Sequence, residues 1–434
     1  MQQNGVVGAG GAGFPSYGKL DKKADTILLN CAECEPLLKL HRQVLEKFAF
    51  EILSTLNEIT ETVEAERAIV CVKGSYTGAL EAVKAHLASF PKISIHLLPE
   101  IYPAGDEVVM IYEATGRVVA PGSIPITVGC VVFNVETVYN IYKALQPEPQ
   151  PVTSKYITIA GEVKNPVTLK APLGITYEEL VQLAGGPTCK EPVYLAGGPM
   201  TGSICSGYDV VTKTSNAVLV LPKDAFIIQK RLTRPDVNIK RAMSVCCQCH
   251  MCTDLCSRNL LGHPIEPHRF MRAVAGGQTE DTGAFLNSFF CSSCGLCELY
   301  SCFQGLSPRS LLAECKGRLR KNGVAIPKGL EPAPVPSYRS TRLVPMGRLT
   351  SRLGLAPYNK PAPLKDELVP AKQVKIKMSQ HIGAPAVPVV KVGDSVMAGQ
   401  VIGQAAEGKL SVCIHASING KVAEVTDQFV TIKA

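Results

Sequence analysis

Cys246-Cys247-Gln248-Cys249-His250-Met251-Cys252-Thr253-Asp254-Leu255-Cys256 carries more chemical information than any other part of this chain. Taking Cys246, Cys249, Cys252 and Cys256 gives C-x2-C-x2-C-x3-C. A second window, Cys291-Ser292-Ser293-Cys294-Gly295-Leu296-Cys297-Glu298-Leu299-Tyr300-Ser301-Cys302, repeats the pattern as C-x2-C-x2-C-x4-C. Three thiolates at a spacing of three wrap one loop around a single cubane. The fourth leaves with the following segment, and in two-cluster ferredoxins it serves the other cluster. The spacing therefore predicts two [4Fe–4S] clusters. Cys246, Cys249, Cys252 and Cys302 would hold one, and Cys291, Cys294, Cys297 and Cys256 the other. Zinc would need close pairs that close a tetrahedron, which two triplets with two distal cysteines fit badly. Neither Cys256 nor Cys302 is followed by proline, and the last gap is one residue longer than usual. Cys247 reads as a spare thiol. Paired clusters relay single electrons and make no bonds, so a donor site and an acceptor are expected as well.

The composition agrees. Of 17 cysteines in 434 residues, 9 fall in the two windows. No basic-then-apolar segment opens the chain, so a soluble, non-secreted protein is expected and metal ligation outweighs a disulfide framework. With 46% apolar and 19% charged residues the chain can pack real cores. No apolar run approaches the roughly 18 residues of a membrane helix, although docking on a membrane partner stays open. Aromatics at 6% and the lack of Trp leave few stacking platforms for single-stranded nucleic acid. The net charge is +8, yet Arg309 to Lys377 alone holds 15 Lys and Arg against 4 acids. That excess lies in a stretch with 9 prolines between Pro327 and Pro370. It reads as an extended, solvated linker that could wrap a domain, rather than as a basic face for nucleic acid.

Gly8-Ala9-Gly10-Gly11-Ala12-Gly13 satisfies G-x-G-x-x-G literally. A dinucleotide fold needs a strand before that motif and a helix directly after it. Here seven residues precede it and Pro15 follows at once, so a Rossmann reading fails. The glycines still allow positive φ and close approach to an anion, with Lys19 placed to add charge. Ile27-Leu28-Leu29-Asn30 reads as a buried strand, and polar residues at such an end are where α/β sheets hold ligands. Cys31 and Cys34 form a C-x2-C without a second pair nearby and read as non-ligands.

Gly8 to Lys19, Asn30-Cys31-Ala32-Glu33-Cys34-Glu35-Pro36 and Phe133-Asn134-Val135-Glu136-Thr137 resemble the flavin- and NADH-binding subunit of respiratory complex I, and Tyr102-Pro103-Ala104-Gly105-Asp106-Glu107 resembles a loop typical of the Rnf-like branch. They resemble the C subunit of Rnf electron-transport complexes still more. The resemblance implies FMN held by Gly8, Gly10, Gly11, Gly13, Lys19, Asn30, Asn134, Glu136 and Thr137, with Phe14 near the nucleotide. It also implies that Glu33 and Glu35 face the isoalloxazine and the nicotinamide of NADH. Complex I has Asp where this chain has Ala32, and the family usually carries a helix ahead of the glycine loop.

Further along, Asn57–Thr62 and Gly78–Ser89 show helical patterning, and Ala68–Lys73 and Ile93–Leu98 read as short buried strands. Tyr156 to Val167 reads as two short strands about a turn, followed by a helix over Tyr177–Ala184. This part resembles the soluble-ligand-binding β-grasp (SLBB) module of both relatives, where it is mainly a spacer. Val392–Gly403 and His415–Val422 resemble the two halves of a biotinyl/lipoyl-type barrel-sandwich hybrid, with Lys409 at the hinge but without the neighbours of a modified lysine. The expected organisation is multidomain α/β: an FMN/NADH domain over 1–150, an SLBB-like β-grasp over 151–235, a two-cluster ferredoxin-like helical domain over 236–326, a Pro-rich basic linker over 327–372 and the barrel-sandwich over 373–434.

The C-terminal place of that last module resembles the cobalamin reductases of propanediol-utilisation microcompartments. Membership would imply NADH-dependent reduction of cobalamin, from Co(III) to Co(II) and Co(I), inside a microcompartment of the bacterial cytoplasm. A corrinoid adenosyltransferase and shell proteins would be its partners. The alternatives are an Rnf-like subunit feeding a membrane redox complex, and a non-catalytic iron–sulfur carrier.

Overall fold

A computed structural model describes residues 1–434 of the chain. Its first unit is built on a parallel sheet of β1 (Thr26–Asn30), β2 (Arg67–Lys73), β3 (Ile93–Leu98) and β5 (Cys130–Asn134), ordered β3-β2-β1-β5. The short β4 (Ile101–Tyr102) lies outside that sheet. β1, β2 and β5 are near-continuous apolar runs because both of their faces are covered, while the edge strand β3 is partly exposed. Ile27 and Leu29 of β1 pack into one core with α1 (Leu40–Lys47), α2 (Ala49–Thr62), α3 (Thr77–Leu87) and α5 (Val135–Leu145). Leu28 points the other way, into a core shared with α4 (Glu107–Thr115). The patterned segment at Asn57–Thr62 is thus the end of a helix that begins at Ala49, and α1 escapes the periodicity altogether.

The chain runs outward from β1 to β3 and then returns to β5 on β1's other side, so the strand order reverses between β1 and β5. Open α/β sheets bind ligands beyond the carboxyl ends of the strands at such a switch point. The β1–β5 register places Asn30 directly opposite Asn134.

The second unit is a six-stranded sheet of β6 (Ser154–Gly161), β7 (Val167–Pro172), β8 (Pro192–Ala196), β9 (Ser203–Cys205), β10 (Ala217–Pro222) and the visiting β12 (Leu364–Leu368), ordered β12-β7-β6-β10-β8-β9. Its helix α6 (Tyr177–Leu183) opens with a capping box, Thr176 and Glu179 each accepting from the other's backbone N–H. A helical unit follows, its main helices being Pro235–Val245, Pro267–Gly276 and Pro308–Lys321. Residues 373–434 fold as two small sheets around one apolar core.

The stretch 327–372 departs from the solvated linker expected of it. β11 (Val344–Pro345) pairs with β4 of the first unit, and β12 (Leu364–Leu368) adds to β7 of the second. Leu349, Leu353 and Leu355 are buried, and Arg339 is paired with Glu113, their side chains 10% and 17% exposed. Its prolines limit hydrogen bonding to short edge pairings, while its few leucines anchor it. The segment is a strap across two units.

Candidate functional site

A cleft of about 750 Å³ opens at the carboxyl ends of β1 and β5, a volume typical of cofactor sites. It is lined by β5, the glycine loop and the Tyr102–Glu107 loop. Gly8, Gly10, Gly11, Gly13, Phe14, Lys19, Asn30, Glu33, Glu35, Asn134 and Thr137 all reach it.

Gly11 and Gly13 have φ of 60° and 66°, which side chains disfavour. The Ala9 N–H donates to Thr137 Oγ1 at 2.9 Å, and the Gly8 N–H to the Phe14 carbonyl at 2.9 Å. A Cβ on Gly10 would stand 2.9 Å from Asn216 Nδ2, and one on Gly13 would meet Thr214 at 2.6 Å. The loop is therefore pressed between units. Lys19 Nζ donates to the Val132 carbonyl at 2.8 Å, and burial lowers its pKa. Asn30 bridges the Ala32 N–H and the Gly105 carbonyl, at 3.0 and 2.9 Å. Asn134 caps α5 by accepting from the Glu136 N–H at 3.0 Å, and its amide nitrogen lies 3.1 Å from the ring of His41. Burial pushes His41 down to about 3, so that ring is neutral.

Glu33 is 6% exposed, and its Oε2 has no hydrogen-bond partner. Arg42 Nε lies 3.7 Å away and is also unpartnered, while the Arg42 guanidinium stacks on Tyr76 at 4.0 Å. Burial raises the Glu33 carboxyl above its usual range, against the pull of Arg42. Buried polar atoms without hydrogen-bond partners are rare, and Glu33 Oε2, on a residue of the cleft wall, marks a place where a ligand's polar group fits. His41, which lines the cleft, and Arg42, beside Glu33, belong to no motif in the sequence. The only available signal was their position on a helix directly after the Asn30–Pro36 motif.

Two expected residues behave differently. Glu35 reaches the cleft, but its carboxylate accepts from the backbone N–H groups of Met200 and Thr201 at 2.7 and 2.9 Å, and from the Thr201 hydroxyl. It clamps the first unit to the second rather than presenting a free carboxylate. Glu136 was expected to touch the cofactor and instead faces away from the cleft. It is 1% exposed, ion-paired with the buried Lys155, and accepts from the Tyr156 N–H at 3.2 Å. A carboxylate at a buried helix start needs a cation, and the second unit supplies one. Lys155 also donates to Asn216 Oδ1 at 2.8 Å, and Asn216 does line the cleft.

Cys246, Cys249, Cys252 and Cys302 line one shared cavity, and Cys247 lines it too. Burial and the neighbouring thiols Cys249, Cys302 and Cys246 push Cys252 up to about 12. Cys256 lies apart from this set. Burial, with Cys294 and Cys291 beside it, pushes its thiol up to about 12. Cys297 is buried among Cys291, Cys294, Cys252 and Cys256, so the two sets abut. No three ligating side chains converge tightly enough for a single ion. Thiols spread around a void suit a multi-atom core, which they could hold from its corners. The Ser293 and Leu306 N–H groups point at Cys291 and Cys302 Sγ, at 3.4 and 3.3 Å. Such donors raise the potential of a sulfur-ligated centre.

The two regions touch. Ser292 and Cys294 belong to the wall of the same cleft as the glycine loop. Arg258, two residues beyond Cys256, is paired with Asp106 at 2.8 Å.

Residues 1–143 match the family model of the Nuo51 FMN-binding domain, 156–203 the SLBB domain, 245–307 the 4Fe-4S dicluster domain, and 358–434 the RnfC barrel sandwich hybrid domain. Over 429 residues the chain is 40% identical to a protein of Salmonella typhimurium named cobalamin reductase PduS, covering 99% of this chain and 94% of that one. The chain belongs to the PduS family. A PduS of Citrobacter freundii is 39% identical over the same shares of both chains. The C subunit of the Na(+)-translocating ferredoxin:NAD(+) oxidoreductase complex of Acetobacterium woodii is 29% identical over 262 residues, covering 59% of this PduS-family chain and 56% of that protein. The NAD+-reducing [NiFe]-hydrogenase in its H2-reduced state overlaps 78% of the chain and 64% of its own, at 20% identity and a TM-score of 0.49. No helix is long and apolar enough to cross a membrane.

Proposed function

We propose that this protein is an NADH-dependent cobalamin reductase, in which a cleft-bound FMN and two [4Fe–4S] clusters connect the nucleotide to the corrin. The observation that carries this reading is the shared wall: Cys294, one of the second set of thiols, lines the same cleft as the glycine loop and Glu33. The names of the full-length relatives support the corrin as acceptor. When bound, FMN would accept an electron pair as hydride from NADH, and the clusters would pass electrons singly.

The chain's own part is positioning. The glycine loop offers backbone N–H groups for a phosphate, and Lys19 lines the same cleft with its Nζ held by the Val132 carbonyl. Glu33, with Arg42 beside it, presents the unpartnered oxygen that would orient the nicotinamide-bearing ligand. Cys291, Cys294, Cys297 and Cys256 would hold the near cluster, and Cys246, Cys249, Cys252 and Cys302 the far one. A corrinoid adenosyltransferase is the fitting consumer, because Co(I) is the form it alkylates. Location in a bacterial microcompartment, beside shell proteins, follows from the same kinship.

The test is anaerobic purification with flavin, iron and sulfide analysis, followed by addition of NADH and cob(II)alamin. Flavin, about eight irons and NADH-driven formation of Co(I) are expected. Iron–sulfur absorbance without flavin would point to a carrier. Complete cofactors without cobalamin reduction would point to a subunit that feeds a membrane complex.

A further inference from the structure

The family model for the flavin domain ends at residue 143, but the cleft does not. Ile382, of the C-terminal unit, lines it alongside the glycine loop. Ile382 is 51% exposed, an apolar residue in the wall of a ligand-sized cleft. Its N–H donates to the carbonyl of Ala12, in the middle of the glycine loop, at 2.9 Å. Two residues before it, Gln380 accepts from the Lys213 N–H at 2.9 Å through its side-chain oxygen. A Cβ on Gly13 would stand 3.2 Å from the Gln380 carbonyl and 3.3 Å from His381 Cα.

We propose that the C-terminal barrel-sandwich unit is a working part of the flavin site: residues 380–382 hold the glycine loop in its anion-accepting shape, and Ile382 forms an apolar wall against the bound flavin nucleotide. This rests on the flavin reading above and extends it to a segment more than 230 residues beyond the flavin-domain match. A loop with two residues at positive φ loses much freedom when ordered. The backbone bond at Ala12 fixes that loop before any ligand arrives, and such preorganisation raises affinity. A nucleotide that filled the cleft would cover part of the exposed Ile382, which would add an apolar contribution.

The experiment uses the full-length chain, stripped of flavin and titrated with FMN while flavin fluorescence is followed. Ile382→Ala keeps the N–H and removes the wall, and is expected to raise the Kd about 3- to 10-fold. Ile382→Pro also removes the donor to Ala12 and is expected to raise it further. Val392→Ala, in the same unit with its side chain 65% exposed but outside the cleft, is expected to bind as the wild type does. Iron and sulfide content should be unchanged in all three. Wild-type affinity in Ile382→Ala would overturn the proposal, as would equal weakening in Val392→Ala. A wild-type chain that takes up no FMN would instead bring down the flavin reading on which the proposal stands.

Discussion

The hydroxyl of Tyr102 donates a 2.6 Å hydrogen bond to the backbone carbonyl of Cys294. Tyr102 is 3% exposed and belongs to the loop that forms one wall of the flavin-type cleft. Cys294 belongs to a thiol set that would hold iron. One bond thus fixes the distance between the donor site and the first relay, and it does so from a residue with no redox chemistry of its own. The Arg258–Asp106 pair, at 2.8 Å, ties the Tyr102–Glu107 loop to the thiol region a second time, through the segment that follows Cys256.

Tyr102→Phe should leave the Cys294 carbonyl buried and unpaired, a loss of about 1–3 kcal/mol. Thermal unfolding of the holoprotein should show it. Stopped-flow mixing with NADH should show normal bleaching of flavin followed by slower bleaching of the clusters. Unchanged rates in both phases would mean that the bond does not set the contact.

The crossed ligand sets predict a pattern of losses rather than a single number. Cys249→Ala should remove about half the iron and sulfide. Adding Cys302→Ala should remove little more, since both thiols line the same cavity. Adding Cys256→Ala instead should remove nearly all the remainder, because Cys256 sits beside Cys294 and Cys291. Cys247→Ala should retain close to the full complement. An uncrossed arrangement would exchange the outcomes of the two double variants.

Glu33→Gln preserves shape and removes the ionisable group beside Arg42. Reduction of flavin by NADH should slow by roughly 10- to 100-fold if the carboxylate orients the nicotinamide. Reduction of the clusters by dithionite should be unaffected. Equal rates for both reductants would place the nicotinamide elsewhere.

Lys213 gives a pH signature. Its Nζ is buried where three units meet and donates to the carbonyls of Gly5 and Cys413, at 2.6 and 3.2 Å. Burial lowers it to about 7, below the value of roughly 10.4 in an unfolded chain. Between those values the unfolded chain binds the extra proton, so wild-type stability should rise as pH climbs from about 7 toward 10. Lys213→Met should flatten that rise. Melting temperatures of both proteins across the interval provide the check, and parallel curves would contradict it.

Much was readable one segment at a time. The run Ile27–Asn30 becomes a central parallel strand because consecutive apolar residues serve two covered faces. The glycine loop is a cradle because its residues tolerate positive φ. The cysteine spacing describes a loop around a cluster because ligand reach is a short-range constraint on the chain. These features depend on neighbours a few residues away, and the amino-acid sequence states them directly.

What a side chain meets across the molecule was not readable in that way. Glu33 and Glu35 look equivalent in Asn30–Pro36, yet one keeps an unpartnered oxygen and the other is taken up by Met200 and Thr201. Glu136 sits in a cofactor motif, but Lys155 draws it into a buried ion pair. The proline-rich stretch has a linker's composition, and its strand pairing to β4 and β7 comes from edges those units leave open. By itself the sequence determined which local shapes and ligand types exist. The tertiary structure alone decided which of them share a cleft, because burial and electrostatic pairing depend on distance in space, and separation along the chain does not record it.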